Sequence, residues 1–417
     1  MTLKRLMTVF FSLFFLFFAC TGAWAVVVGP DILGVDFRFN NPGARANAMG
    51  GAFIGLADDA TAAYTNPAGL TILTEPEFSI EYKIGEITTH FEDQVGEKEF
   101  DDTVSGLSFL SYVYPGENAT IALFRHQLLN TESNFTWEED SSQFQKNNVN
   151  LDAVTLGIGA GFKLTDTFSL GLSIGMAQLD YDVRTREYDS TDASYPNEKD
   201  RDTVSETDNA EHYTVSLLWN PLEGFNIGLV YRMGPEFEAT KTRWQYYDPT
   251  PGSPHSGDEV YWQEWEHDHI LKVPDVYGLG FSYRFLSNFT ATLDINYIEY
   301  SDLADDFVEW ESGGATSQNW TVDDEVEVRL GLEYIIDINQ TPLALRAGYY
   351  YRPDHRLQYK GTDQPELIQL FGDKGDDHDH IFSLGFGAVL TQKLQIDVAA
   401  AAGKYIKEGS LSIVYRF

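Results

Sequence analysis

Two copies of His-Asp-His-Ile stand out, at 267–270 and 378–381. In an extended chain, side chains two apart share a face, so His267 pairs with His269 and His378 with His380. Paired imidazoles beside carboxylates could hold a divalent transition metal. Solvated clusters or salt-bridge partners are the alternative reading, and no metal is assigned. The acidic run 373–379 lacks the ordered ligand spacing of a calcium loop. No Ser-His arrangement suited to nucleophilic catalysis stands out, so the expectation is a protein that is not an enzyme and uses no cofactor.

The start of the chain reads as an address. Lys4 and Arg5 precede an apolar run from Leu6 to Ala19, and Ala23-Trp24-Ala25 supplies the small residues of a cleavage site. Residues 1–25 are therefore expected to be removed, with a mature start at Val26. The single cysteine, Cys20, falls inside this segment. A lipoprotein reading on Phe17-Phe18-Ala19-Cys20 lacks the usual leucine three residues before the cysteine. The mature chain would then hold no thiol. Losing Lys4 and Arg5 from 28 basic residues leaves 26 against 64 acidic, a net charge near −38. That balance repels nucleic acid.

The elements that must carry any site are strands. In 288–300, Phe289, Ala291, Leu293, Ile295 and Tyr297 share one face, while Thr290, Thr292, Asp294 and Asn296 share the other. The same period recurs in 168–176, 225–233, 277–285 and 382–390. Fourteen strands are expected, near 77–90, 103–114, 118–127, 148–163, 167–183, 211–220, 224–235, 269–286, 288–300, 324–337, 342–352, 380–390, 393–403 and 409–417. Short connections follow the even-numbered strands, and long, mostly acidic ones (184–210, 236–268, 301–323, 353–379) follow the odd-numbered. A soluble sandwich has no reason to sort its loops by parity. An outer-membrane barrel does, with its N-terminus in the periplasm and its long loops outside. The ending Leu411, Ile413, Tyr415, Phe417 alternates up to the carboxylate, like the C-terminal strand read by the outer-membrane assembly machinery. The fold class is all-β: a 14-stranded antiparallel transmembrane β-barrel over 76–417 with an N-terminal plug of short helices over 26–75.

Within that plug, Asn66 precedes Pro67 and is pushed out of the helical region. It is placed to cap a short helix from Pro67 to about Leu73. Gly50-Gly51 breaks any longer helix, and Ala44–Met49 is a second helix-compatible piece. The stretch GARANAMGGAFIGLADDATAAYTNPAGL (43–70) resembles the hatch of the FadL-type outer-membrane transporters, and Asn66-Pro67-Ala68 matches their NPA signature. Lys272-Val273-Pro274, YGLGFSYR (277–284), DINYIEYSDL (294–303), LRAGYYYRPD (345–354) and DHIFSLGF (379–386) resemble the later strands.

The resemblance implies a monomeric plugged barrel in a Gram-negative outer membrane, among lipid and lipopolysaccharide. It takes up hydrophobic small molecules, long-chain fatty acids or hydrocarbons, through a lumen site and a lateral gap at a kinked third strand. Strand 119–129 is the poorest alternator: Arg125 shares parity with Ile121 and Leu123, while Phe124 and His126 share the other. Phe124, Arg125 and His126 are the candidate gate, and Asn66, Pro67 and Ala68 the candidate hatch residues. Trp244, Tyr246, Tyr247, Trp262 and Trp265 could form an outer ligand surface or an interfacial belt. PorV-type secretion components share the hatch, so a protein-binding platform is the competing reading.

Overall fold

A computed structural model describes residues 39, 41–92, 97–138, 143–189, 198–247, 261–304, 319–339, 341–355, 358–362, 378–404 and 406–417. The expected leader lies outside the described residues. The strands are β1 (Glu77–Glu92), β2 (Glu97–Pro115), β3 (Ala119–Glu138), β4 (Gln143–Lys163), β5 (Phe168–Asp189), β6 (Glu198–Leu222) and β7 (Phe225–Met233). They continue as β8 (Glu236–Tyr247), β9 (Tyr261–Lys272), β10 (Val276–Phe285), β11 (Phe289–Ile298), β12 (Trp320–Thr321), β13 (Glu325–Ile338) and β14 (Thr341–Arg352). The last are β15 (Gln358–Tyr359), β16 (Asp379–Val389), β17 (Leu394–Ala402) and β18 (Ile406–Arg416).

Fourteen of these close a ring: β5-β4-β3-β2-β1-β18-β17-β16-β14-β13-β11-β10-β7-β6, with β6 returning to β5. Every neighbour is antiparallel, and the first strand seals against the last from Glu77↔Arg416 to Ile87↔Ile406. Closure pairs the wall strands with neighbours on both sides, which is why a barrel can span a membrane, and the ladder between β2 and β3 is the exception to full pairing. The remaining strands stand at the rim. β8 and β9 form a hairpin whose first strand pairs with the start of β6, Asp200↔Gln245 to Thr203↔Thr242. β12 and β15 make a two-residue bridge.

Two expectations are corrected. The stretch 269–286 is not one strand: β9 ends at Lys272 and wall strand β10 begins at Val276. Pro274 between them has no N–H to give a ladder. The connection 184–210 is largely strand, because β5 runs on to Asp189 and β6 starts at Glu198.

This overrun changes what the faces mean. Along β5, Leu172, Ile174 and Met176 are exposed on the outer face, while Ser169 and Ser173 are buried on the inner. Past Met176 the inner face becomes apolar: Ala177, Leu179, Tyr181 and Val183 are buried. The outer face there carries Gln178, Asp180 and Asp182. β4 inverts at the same level, from outward Leu156 and Ile158 to inward Ala153 and Leu151. Lipid faces the apolar side below this level and water faces the polar side above it. Two aromatic girdles mark the band. Tyr231, Tyr277 and Tyr297 lie rimward, with centroids 4.9 and 6.2 Å apart. Tyr283, Phe285, Phe289 and Tyr334 lie toward the short turns. Nine residues of tilted strand cover roughly 20 Å, close to the apolar height of an outer-membrane barrel.

Candidate functional site

The hatch fills the lumen behind this band. Helix α1 (Ala44–Ala48), helix α2 (Ala62–Thr65) and a 3-10 helix (Pro67–Ile72) are linked by tight turns. Gly50 and Gly51 have φ of +65° and +76°, and a Cβ on Gly50 would stand 2.7 Å from the Tyr349 carbonyl oxygen. Backbone conformation and space both demand glycine there. Wall glycines answer in turn: a Cβ on Gly171, Gly228 or Gly348 would collide with hatch backbone at Ala68, Ile54 or Gly50. The small inner face of the strands is what lets the plug dock.

Asn66, Pro67 and Ala68 are brought together and fully buried. Asn66 Oδ1 accepts from the Ala68 amide at 3.1 Å, the predicted cap. Its Nδ2 donates to the Ile54 carbonyl at 2.9 Å and to the Leu217 carbonyl of β6 at 3.4 Å. The Ala68 amide also reaches Ser216 Oγ at 3.0 Å. The motif therefore ties two hatch turns to the β6 wall.

Other anchors belong to no local motif in the sequence. Asp294 on β11 accepts from the Phe53 and Ile54 amides at 2.7 and 2.9 Å. Arg45 of α1 pairs with Asp58 at 2.6 Å and Glu333 at 2.9 Å. Arg346 bridges Glu333 and Asp397, at 2.7 Å each. Their signal was charge on the inner parity of strands whose inner face is otherwise small. In a buried setting such charges persist only when paired.

The wall opens between β2 and β3. Their ladder runs from Pro115↔Thr120 to Phe109↔His126 and stops, although both strands continue. One extra residue bulges from each strand at that level: Ser108 against β1 and Leu128 against β4. Bulges bend a strand and end its pairing. Arg125 bridges the foot of the opening, its guanidinium donating to the Leu107 carbonyl. Tyr82 and Ile84 of β1, paired with Leu107 and Ser105, expose their side chains outward, so the lower opening lies within the apolar band. The Leu128 bulge turns two successive leucines inward. Both join an apolar interior with Leu151, Leu179, Tyr181 and Val204, covered rimward by Phe39, Tyr300, Trp320 and Tyr359.

The three candidate gate residues sit at this foot. Phe124 and His126 are buried inward, and Arg125 lies on the outward parity. His126 stacks on Tyr64 of α2, with centroids 3.9 Å apart. Trp244 packs under Arg201, 5.8 Å from guanidinium carbon to ring, at the rim hairpin. Tyr246, Tyr247, Trp262, Trp265, His267 and His269 lie on β8 and β9, with side chains outside the described residues. His378 and His380 are 5.0 Å apart and pack against Tyr349 and Tyr351. Among the described residues no group of three His, Cys, Asp or Glu could hold a metal ion.

The family model described as "Outer membrane protein transport protein (OMPP1/FadL/TodX)" matches residues 38–410. The chain belongs to this family. Similar solved structures have the same architecture at low identity. A Pseudomonas aeruginosa FadL homologue is 16% identical with a TM-score of 0.63, over 92% of this chain and 99% of that one. The P. putida toluene transporter TodX is 13% identical with a TM-score of 0.62, over 91% and 99%. The CymD monoaromatic hydrocarbon channel is 15% identical with a TM-score of 0.59, over 92% and 99%. No curated protein matched by sequence. The family is one of outer-membrane transport proteins for hydrophobic compounds.

Proposed function

We propose that this family member takes hydrophobic small molecules, long-chain fatty acids or hydrocarbons, into its apolar interior from the rim and releases them sideways between β2 and β3. The observation that carries the reading is the unpaired stretch beyond Phe109 and His126 beside the buried Leu128 and Leu129. A greasy ligand passing from that interior into the bilayer avoids water, a saving of about 0.8 kcal/mol per methylene. Residues 1–25 form the removed leader, 26–75 the hatch and 76–417 the barrel. The N-terminus is periplasmic and the long rim connections are extracellular, beside lipopolysaccharide. The protein works as a monomer, and its last strand, ending at Phe417, is the segment read by the assembly machinery. The similar structures TodX and CymD are a toluene transporter and a monoaromatic hydrocarbon channel, which favours transport over a secretion platform.

The test is to close the opening. A Cβ on Gly106 would stand 3.6 Å from Asn130 Nδ2 across it. Uptake of a labelled hydrocarbon by cells carrying Gly106→Cys with Asn130→Cys should fall under oxidation and recover on reduction. Unchanged uptake in the oxidised pair overturns lateral release.

A further inference from the structure

Above the lipid band, the outward face of β4, β5 and β6 turns basic. Lys146 on β4 pairs with Arg186 on β5, and Arg186 pairs with Arg201 on β6, so three cations stand side by side on one rung. Arg184 lies two residues nearer the membrane on the same face. That face is the outward one, because the alternate residues Asn147, Thr185 and Asp200 are buried. Aromatic rings border the rung. Phe144 and Tyr188 stack beyond it, with centroids 4.8 Å apart and planes 7° from parallel. The Lys146 ammonium stands 5.7 and 5.2 Å from their centres. At the other end Trp244 of β8 takes the position opposite Arg201.

Like charges directly opposite on neighbouring strands repel. The chain has carboxylates to spare, with a formal net charge of −36. Glu198 meets Arg201 at 2.6 Å, and Asp182 meets Arg184 at 3.0 Å. Lys146 and Arg186 are ion-paired to no carboxylate among the described residues. Their height says which anions are at hand. Along β5 the rung lies ten residues past Met176, where the lipid-facing run ends. At about 2.5 Å of height per tilted residue, that is roughly 25 Å above the apolar band. In an outer membrane this level holds the sugars of the glycolipid leaflet and the phosphate groups they carry. We infer that the rung of Lys146, Arg186 and Arg201 is a docking surface for the phosphorylated core saccharide of lipopolysaccharide. Its phosphate oxygens accept charge-assisted hydrogen bonds from Arg186 and Lys146, and sugar C–H faces pack against Tyr188 and Trp244. The contact tethers an acidic protein in a leaflet of its own sign of charge. It rests on the orientation proposed above, with the rim outside, and is independent of lateral release.

The experiment is equilibrium binding to the full barrel in non-ionic detergent at about 0.1 M salt, where surface charges more than a Debye length apart are screened. The probes are the phosphorylated oligosaccharide left by complete deacylation of lipopolysaccharide, the same oligosaccharide stripped of phosphate, and inorganic phosphate. The phosphorylated oligosaccharide should bind most tightly. Arg186→Gln and, independently, Lys146→Gln should each weaken it by about tenfold, the size of one hydrogen bond to a charged group. Lys163→Gln removes the same charge at the short-turn end, where Lys163 meets Asp166, and should leave binding unchanged. Equal affinity for the phosphorylated and stripped probes, or no binding of either, overturns the docking surface. So does equal weakening by all three variants, which marks net charge alone. Inorganic phosphate binding as tightly as the oligosaccharide marks a free-anion site and overturns the glycolipid as occupant. If a variant fails to assemble, the three probes on the parent protein decide. The orientation is read separately, by antibody to a tag after Asp189 on intact cells. A tag reached only from the periplasm overturns the leaflet contact whatever the barrel binds in detergent.

Discussion

The Arg45 guanidinium meets the Glu333 carboxylate at 2.9 Å, joining the first helix of the hatch to wall strand β13 across 288 residues of chain. Glu333 in turn holds Arg346, so one carboxylate serves two cations. The pair is nearly dry, so removing one partner leaves the charge of the other less compensated.

Arg45→Ala therefore leaves Glu333 with Arg346 alone and Asp58 with only the longer contact to Arg284, at 3.9 Å. Breaking a buried pair costs about 3–5 kcal/mol, and the cost falls on hatch docking rather than on the wall ladders. The expected outcome is normal membrane abundance and a normal gel shift between boiled and unboiled samples. Sensitivity to large hydrophilic antibiotics should rise. Loss of the folded barrel itself would show that this pair holds the wall and not the plug.

Asn66→Ala removes the cap on the 3-10 helix and the two bonds from Nδ2 to Ile54 and Leu217. The cap alone is worth about 1 kcal/mol, far too little to open a closed barrel. Asn66→Ala and Pro67→Ala should assemble normally and take up a labelled hydrophobic compound more slowly. Antibiotic leakage at an unchanged uptake rate would mean that the motif merely anchors the plug. Parental uptake without leakage in both variants would remove it from gating altogether.

The orientation is open to a direct check. β5 ends at Asp189, at the opposite end of the barrel from the short turns. An epitope tag inserted after Asp189 should be reached by antibody on intact cells. Labelling only after the outer membrane is disrupted would invert the topology.

Period-two alternation is a local property, written two residues at a time, so the sequence alone determined the strands and their lipid faces: Leu172, Ile174 and Met176 read as outward and are. The Asn66-Pro67 turn was legible for the same reason, because the cap and the proline act within a few residues. Other features depend on which strands become neighbours and at what height. The alternation that puts Met176 in lipid also turns Leu179 inward, and only the end of the bilayer gives that inversion its meaning. Pro274 carries no N–H for a ladder, but the bend that sends β9 into a rim hairpin is decided by the pairing of β8 with β6. The opening at Phe109 and His126 is a place where two strands part, and neither strand records it alone. Arg45 and Glu333, or Tyr64 between His126 and Arg232, are single residues scattered along the chain. Closing the ring makes them partners, because a barrel brings inward-facing residues from distant strands into one lumen and buries whatever charge they carry.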